Sequence, residues 1–531
     1  MPTFHGHSLI DGGRRRGSAT PFQALSPMGL QPLPGDFFLA TDAEVNAALA
    51  AARRDFAACR NCPGSARADL LETIAANLLA LGDVLVERIH LECGLSEARI
   101  HSERARTVHQ LRIFAAMARD HTWLDPRIET ALPGRQPLPK PDLRRLLVPI
   151  GPVVVFGSSN FPLAYSVVGG DTASALATGN PVIVKAHGAH PGTSELVAEA
   201  VLAALSSLGL PAGFFAMLHG HGETIGISLV KHPDTRAVGF TGSFSGGRAL
   251  FDAAASRPDP IPVFAEMSGL NPIVLLPGAV RERSTEIATL IAQSITQGVG
   301  QFCTKPGLIL LSEGPGAEDF RCALAAAITE VAPAPMLHAG IAESYVAGCQ
   351  HASGHPAVRV LARAAAAPDA CEGAALAVVT DVAGLLADDS LRHEVFGPFA
   401  MVVSITAPAQ IETVLLSLGG QLTASVFAMP GELAPELLDS LTQIAGRVIV
   451  NGVPTGVEVC SAINHGGPWP ATTDSRFTSV GPAAYLRFVR PVTYQNTPDA
   501  LLPPALQNAN PLGIARLLNG VWSTAGVTTA D

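Results

Sequence analysis

From Leu147 onward, short β-branched or aromatic runs alternate with alanine-rich helical segments. "VVVFG", "PVIVKA", "FFAML" and "AVGFTG" are separated by stretches such as "DTASALATG" and "TSELVAEAVLAALSSLG". That alternation folds as a parallel sheet with helices packed on it. A second alternating region follows Glu266, through "NPIVLLPG", "GLILLSE", "FAMVVSI" and "GRVIVNG". At 531 residues the chain exceeds one simple core, so two or three domains are expected. Residues 43–118 read as mostly helical from their charge density and Ala/Leu spacing. Residues 120–145 are rich in proline and arginine, lack a helical period and read as an extended excursion or interface arm. "AAYLRFVRPVTYQN" (483–496) alternates like a strand that can pair with it, and the residues from Leu501 read as loop with one helical stretch.

Charge and cysteine usage narrow the function classes. With 48% hydrophobic residues, 15% charged residues and a net charge of −10, the chain lacks the concentrated basic face that nucleic acid requires. "RRR" (14–16) is the only dense basic run and reads as a solvated N-terminal arm. No stretch is apolar for long enough to span a bilayer, and "MPTFHGHSLIDGGRRRG" has no signal-like apolar region. Eight scattered cysteines do not form a disulfide framework, and "CRNC" (59–62) has no second pair at metal spacing. A reducing cytoplasm, no membrane, no nucleic-acid partner and no metal are therefore expected.

Several motifs fall where open α/β sheets bind ligands. In "QGVGQFCTKPG", Cys303 lies on a glycine-bearing loop between a helix ending near Gly298 and the strand "GLILL". A cysteine met in isolation is most often a structural thiol. "FGSSNFPLAY" puts Asn160 just past a strand, where its amide can donate to an oxyanion or merely shape a turn. Glu266 in "FAEMSG" ends another strand, as a structurally paired carboxylate or a general base. "HGHGETIG" (Gly220, Gly222, Gly226) approximates a dinucleotide fingerprint with one residue too many, and "FTGSFSGG" (Gly242, Ser243, Gly246, Gly247) opens a helix whose free N–H groups suit a pyrophosphate.

Asn160 in "NFP", Lys185 in "VIVKA", "FTGS", Glu266 in "EMSG", Cys303 in "GQFCTKPG" and "EVFGP" stand in the order and spacing of the aldehyde dehydrogenase superfamily, which the chain resembles from about residue 40 to residue 495. "NHGGPWPATTDSRFTSVG" and "VKAHGAHPGTSE" are similar to the branch of α-ketoglutaric semialdehyde (2,5-dioxopentanoate) dehydrogenases and NADP-dependent fatty aldehyde dehydrogenases. The resemblance implies an α/β fold with a Rossmann-like cofactor domain (1–125 and 146–265) and an α/β catalytic domain (266–478). It also implies a small β oligomerisation arm (126–145 and 479–500) and a C-terminal tail (501–531). Cys303 is implied as nucleophile, Asn160 and the Cys303 N–H as oxyanion donors, and Glu266 as the base for thioester hydrolysis. Glu394 and Phe396 are implied at the nicotinamide end, Lys185 at the adenosine ribose, Ser243 with Gly242 and Gly247 at the pyrophosphate, and Gly222 at the adenine slot. A homodimer or homotetramer is the implied assembly.

Three positions depart from the commonest pattern. Gly188 stands where many NAD-preferring members carry a ribose-binding glutamate, which removes a like-charge clash with NADP. NADP is thus the expected cofactor, with NAD the alternative. Ser268 replaces a glycine, with no assigned effect. His465 stands at an aromatic tunnel position, to orient substrate, influence the thiol or form a polar wall. Arg106, aligned through "QLRIFAA", is expected in the aldehyde tunnel to meet a substrate carboxylate, with Phe161, Tyr165 and Gln297 as further wall; the alternative is a surface ion pair with Glu103. The expected reaction is NAD(P)-dependent oxidation of 2,5-dioxopentanoate to 2-oxoglutarate. The competing readings are a broad or fatty aldehyde dehydrogenase, a CoA-acylating relative and a catalytically silent structural protein.

Overall fold

The computed structural model describes residues 3–267 and 269–527, so Ser268 lies outside the described residues. Two seven-stranded sheets form its framework. In the first, the strands Val263–Glu266, Ala237–Thr241, Val153–Phe156, Val182–Ala186 and Phe215–His219 are parallel neighbours in that order. Strand order reverses beside Val153–Phe156, and that reversal opens a crevice at the carboxyl ends of the strands. The second sheet runs Arg359–Arg363, Leu376–Asp381, Phe399–Ile405, Leu308–Ser312, Ile273–Leu275, Gln421–Phe427, Ala445–Val450. Only its first strand is antiparallel. Central strands such as Val182–Ala186 and Leu308–Ser312 are buried along their whole length, as sheets covered on both faces require.

The N-terminal helices are Asp42–Asn61, Gly64–Ala80, Gly82–Cys93 and Glu97–Arg119. Thr41 and Glu44 close the first with a capping box. Gly94 takes the left-handed conformation (φ 65°) that ends the third. Both Cys59 and Cys62 are free thiols at the end of the first helix.

Two segments differ from the sequence reading. "RRR" is not a free arm. Residues Ser8–Ile10 and Gly13–Arg15 form a hairpin that continues the first sheet, with Arg14 ion-paired to Glu199 and Arg16 4.1 Å over the Phe38 ring. A third sheet joins Val489–Gln495, Leu143–Pro149, Arg127–Glu129, Arg516–Leu518 and Val521–Ser523. Its first pair, from Val489↔Pro149 to Gln495↔Leu143, overlaps the expected pairing at residues 143–145 and runs past it to Pro149. The last two strands come from the region read as a loop-like tail. Each is only three residues long, below what alternation can reveal. No helix among the described residues is long and apolar enough to cross a membrane.

Candidate active site

The helix Pro277–Thr296 ends in a tight turn where Gly298, Val299 and Gly300 all take left-handed φ (55°, 57° and 64°). This reversal carries the chain to Cys303 at the mouth of the strand Leu308–Ser312. The loop is pinned from two sides. The buried Asn271 amide donates to Cys303 O (2.8 Å) and Lys305 O (3.1 Å), while its own oxygen accepts from Thr423 Oγ1 (3.0 Å). Lys305 Nζ donates to Val395 O (3.1 Å) and Phe399 O (3.0 Å), so it ties the cysteine loop to the segment bearing Glu394 and Phe396. Burial lowers the Lys305 ammonium to about 8, against the opposing charge of Glu394.

Glu266 ends its strand next to this loop and is 3% exposed. His465 Nε2 lies 2.9 Å from Glu266 Oε1 and 3.4 Å from Cys303 Sγ. Ser479 Oγ donates to Glu266 Oε2. The backbone of His465 is fixed in turn: its N–H donates to Thr478 Oγ1 (2.9 Å) and its carbonyl accepts from Ser479 N (2.8 Å). Burial alone would raise the Glu266 carboxyl. The His465 ring, the Ser479 hydroxyl and the Cys303 thiol outweigh it and hold the carboxyl below the usual range. Burial first, then the Glu266 charge, pushes the Cys303 thiol well above 9.0, although the charge of Arg106 opposes the shift. Cys303 therefore favours its thiol form, with an imidazole and a carboxylate beside it.

Asn160 sits four residues past the strand Val153–Phe156, at the order reversal. Its amide donates to Gln301 O (3.1 Å), two residues before Cys303, and keeps a second N–H in reserve. The loop that carries it is held by Glu103, whose Oε1 accepts from Leu163 N (2.8 Å) and Ala164 N (3.0 Å). Phe161, Ala164, Tyr165, Phe302, Val459 and Val480 form an apolar cluster beside the thiol. Arg106 reaches into its edge. Its guanidinium lies 5.7 Å from the Phe161 ring and 5.5 Å from the Tyr165 ring, and Nη2 donates to Tyr165 Oη (3.1 Å). Among the described residues it has no ion pair; Glu103 pairs with Arg99 (3.8 Å) and reaches Arg106 only through its field. Arg99 stacks 4.3 Å and 4.6 Å from the Phe161 and Phe302 rings, and its field, like those of Arg106 and Arg447, reaches Cys303. Gln297 is exposed at the end of its helix.

The cofactor candidates line the same sheet ends. Lys185 closes the strand Val182–Ala186, and burial lowers its ammonium to about 8 with no carboxylate beside it. Gly188 borders a cleft of about 300 Å³ together with His187 and His338, and a Cβ built on it would meet nothing within 4 Å. Ser243 caps the helix Phe244–Ala255 by accepting from Gly246 N (3.2 Å), and Gly242 and Ser243 are exposed at that helix start. Gly247 has a packing reason: a Cβ there would lie 2.6 Å from Met267 Sδ. Gly222, exposed, opens the helical turn Gly222–Gly226, whose last two residues are buried. An exposed, uncharged helix start, a buried cation without a counter-charge and open space at Gly188 fit a dinucleotide pyrophosphate and ribose.

Comparison with known proteins agrees with this geometry. The model of the aldehyde dehydrogenase family matches residues 15–469. The chain is 49% identical to alpha-ketoglutaric semialdehyde dehydrogenase 2 of Azospirillum brasilense over 518 residues, 97% of this chain and 99% of that protein. It is 43% identical to alpha-ketoglutaric semialdehyde dehydrogenase of Acinetobacter baylyi (strain ATCC 33305 / BD413 / ADP1) over 524 residues, 98% of this chain and 99% of that one. Among solved structures, the 1-pyrroline-5-carboxylate dehydrogenase from Thermus with bound NAD superposes with a TM-score of 0.77 at 21% identity, covering 93% of each chain.

Proposed function

Because this chain belongs to the aldehyde dehydrogenase family, we propose that its substrate is 2,5-dioxopentanoate, oxidised to 2-oxoglutarate, with NADP used at least as well as NAD. One observation carries the substrate class: Arg106 enters an aromatic wall beside the nucleophile with no carboxylate of the protein to pair with. A half-buried guanidinium that makes no direct ion pair is open to an anion, and its fork matches a carboxylate. The near full-length likeness to two semialdehyde dehydrogenases points the same way. Gly188 and the open cleft beside it leave room for a 2′-phosphate that a carboxylate there would repel.

The reaction then follows from the contacts. The Cys303 proton passes to the Glu266–His465 pair, and the thiolate attacks the aldehyde carbon. The free Asn160 N–H and the Cys303 backbone N–H meet the resulting oxyanion. Glu394 and Phe396 would hold the nicotinamide end of the cofactor, Lys185 its adenosine ribose and Ser243 its pyrophosphate; bound there, the cofactor would supply the hydride acceptor. Glu266, with His465 beside it, deprotonates the water that releases the acid from the thioester. Hydrolysis, rather than acyl transfer to CoA, suits a positioned carboxylate–imidazole pair. The strand pairing of residues 489–495 with 143–149, extended by the exposed Val521 and Trp522, supports a homodimer or homotetramer built across this sheet.

The test is a panel of 2,5-dioxopentanoate, succinic semialdehyde, glutaraldehyde and hexanal, each with NADP and NAD. Highest kcat/KM for 2,5-dioxopentanoate, undiminished with NADP, is expected. Preference for hexanal would assign the aromatic wall to fatty aldehydes instead, and rejection of NADP would remove the argument from Gly188.

A further inference from the structure

The groups that exchange protons at this site are also three kinds of metal ligand. One atom each of Glu266, Cys303 and His465 lies within 4.8 Å of the other two. His465 Nε2 is 2.9 Å from the carboxylate and 3.4 Å from the sulfur. A tetrahedral Zn²⁺ with bonds of about 2.3 Å to sulfur and about 2.0 Å to nitrogen and oxygen spaces its ligand atoms roughly 3.3–3.6 Å apart. The two sides that meet at His465 are thus near ligand spacing before any ion enters, and the third is within 4.8 Å. We propose that Cys303, Glu266 and His465 form an inhibitory Zn²⁺ site that captures the nucleophile.

The chemistry balances without a redox partner. The S–H bond breaks, an S–Zn bond forms and the proton leaves to solvent. Thiolate and carboxylate together neutralise the ion, so no net charge is left in the buried site. Two ligands are already oriented from behind: Ser479 donates to Glu266 Oε2, and Thr478 and Ser479 fix the His465 backbone. Such outer contacts sharpen metal affinity. A water completes the fourth position. The soft sulfur and the nitrogen select against Mg²⁺, which demands oxygen ligands. The inference is independent of which aldehyde is oxidised, since binding is read without substrate.

The full-length protein is titrated with Zn²⁺, Mg²⁺ and Co²⁺. Inhibition at one Zn²⁺ per chain is expected, reversed by EDTA and absent with Mg²⁺. Co²⁺ should give a near-ultraviolet sulfur-to-cobalt band that Cys303→Ser abolishes. His465→Gln should weaken Co²⁺ binding by more than about a hundredfold, beyond the usual cost of an outer-shell partner. In the wild-type chain alone, Zn²⁺ should protect Cys303 from iodoacetamide while the exposed Cys322 and Cys460 react as before. Absence of the cobalt band, alkylation of Cys303 unchanged by Zn²⁺, or inhibition lost in a Cys322→Ser/Cys460→Ser double variant would overturn the proposal.

Discussion

Glu92 and Glu266 are buried alike, 0% and 3% exposed, yet they are different instruments. Glu92 accepts from Arg88 Nη2 (2.7 Å), Gly192 N (2.8 Å), and Thr193 N (2.8 Å) and Oγ1 (2.7 Å). It locks the helix Gly82–Cys93 to the start of the helix Pro191–Ser207. Apart from the Thr193 hydroxyl, its donors are a guanidinium and amide N–H groups, which do not give up protons near neutral pH. Glu266 is surrounded by an imidazole, a hydroxyl and a thiol, each able to exchange a proton or rotate its donor. Burial and hydrogen-bond count do not separate a structural carboxylate from a chemical one. The lability of its partners does.

The largest effect expected from this contrast is on turnover. Glu266→Gln should lower steady-state kcat by about 10²–10⁴-fold, the range of general base catalysis, with an unfolding midpoint near that of the wild type. Stopped-flow reduction of the cofactor divides its roles. A preserved burst limits Glu266 to hydrolysis, whereas a lost burst shows that it also helps to deprotonate the thiol. Glu92→Gln should do the reverse. It leaves Arg88, 3% exposed, as an uncompensated buried charge and costs about 3–5 kcal/mol in urea unfolding, while kcat per folded chain holds. Equal stability losses in the two variants would erase the distinction.

How much of this was legible in the sequence depends on where the partners come from. Cys303, Glu266 and Asn160 could be read because each ends or follows a strand within its own motif. His465 was visible, but its alternatives stayed open because nothing local says that it touches both Glu266 and the thiol. Asn271, Lys305, Thr478, Ser479 and Arg99 went unassigned. Asn271 opens the run "NPIVLLPG", yet its partners Cys303 and Thr423 lie 32 and 152 residues away. Ser479 reaches Glu266 across 213 residues. An unremarkable serine or asparagine carries no signal until the fold brings its partner to it.

Two smaller effects sharpen the contrast. Arg88 has a built-in carboxylate and Arg106 does not, so Arg106→Leu should lower kcat/KM for 2,5-dioxopentanoate by about tenfold or more, the size of one charge-assisted contact, while hexanal oxidation holds. Loss on both substrates would make Arg106 structural. The last effect is a shift in pH. The Glu266 charge is one of the causes that raise the Cys303 thiol. In Glu266→Gln that repulsion is gone, so thiolate should form at lower pH, and the midpoint of iodoacetamide alkylation of Cys303 should move down. An upward shift would mean that the carboxylate serves the thiol more as proton acceptor than as repelling charge.

The third sheet has a consequence for the order in which the molecule is made. The strand Arg127–Glu129 finds its parallel partner in Arg516–Leu518, and the Thr130 backbone N–H donates to Asn519 Oδ1 across 389 intervening steps of chain. During synthesis, both α/β sheets can be complete while this strand still presents an unpaired edge. Pairings of such separation form late and slowly, and an open edge in the interval is a template for a neighbouring nascent chain. The hairpin at 516–523 therefore works as a closing seam, and a ribosome stalled short of it leaves two finished sheets beside an unfinished third.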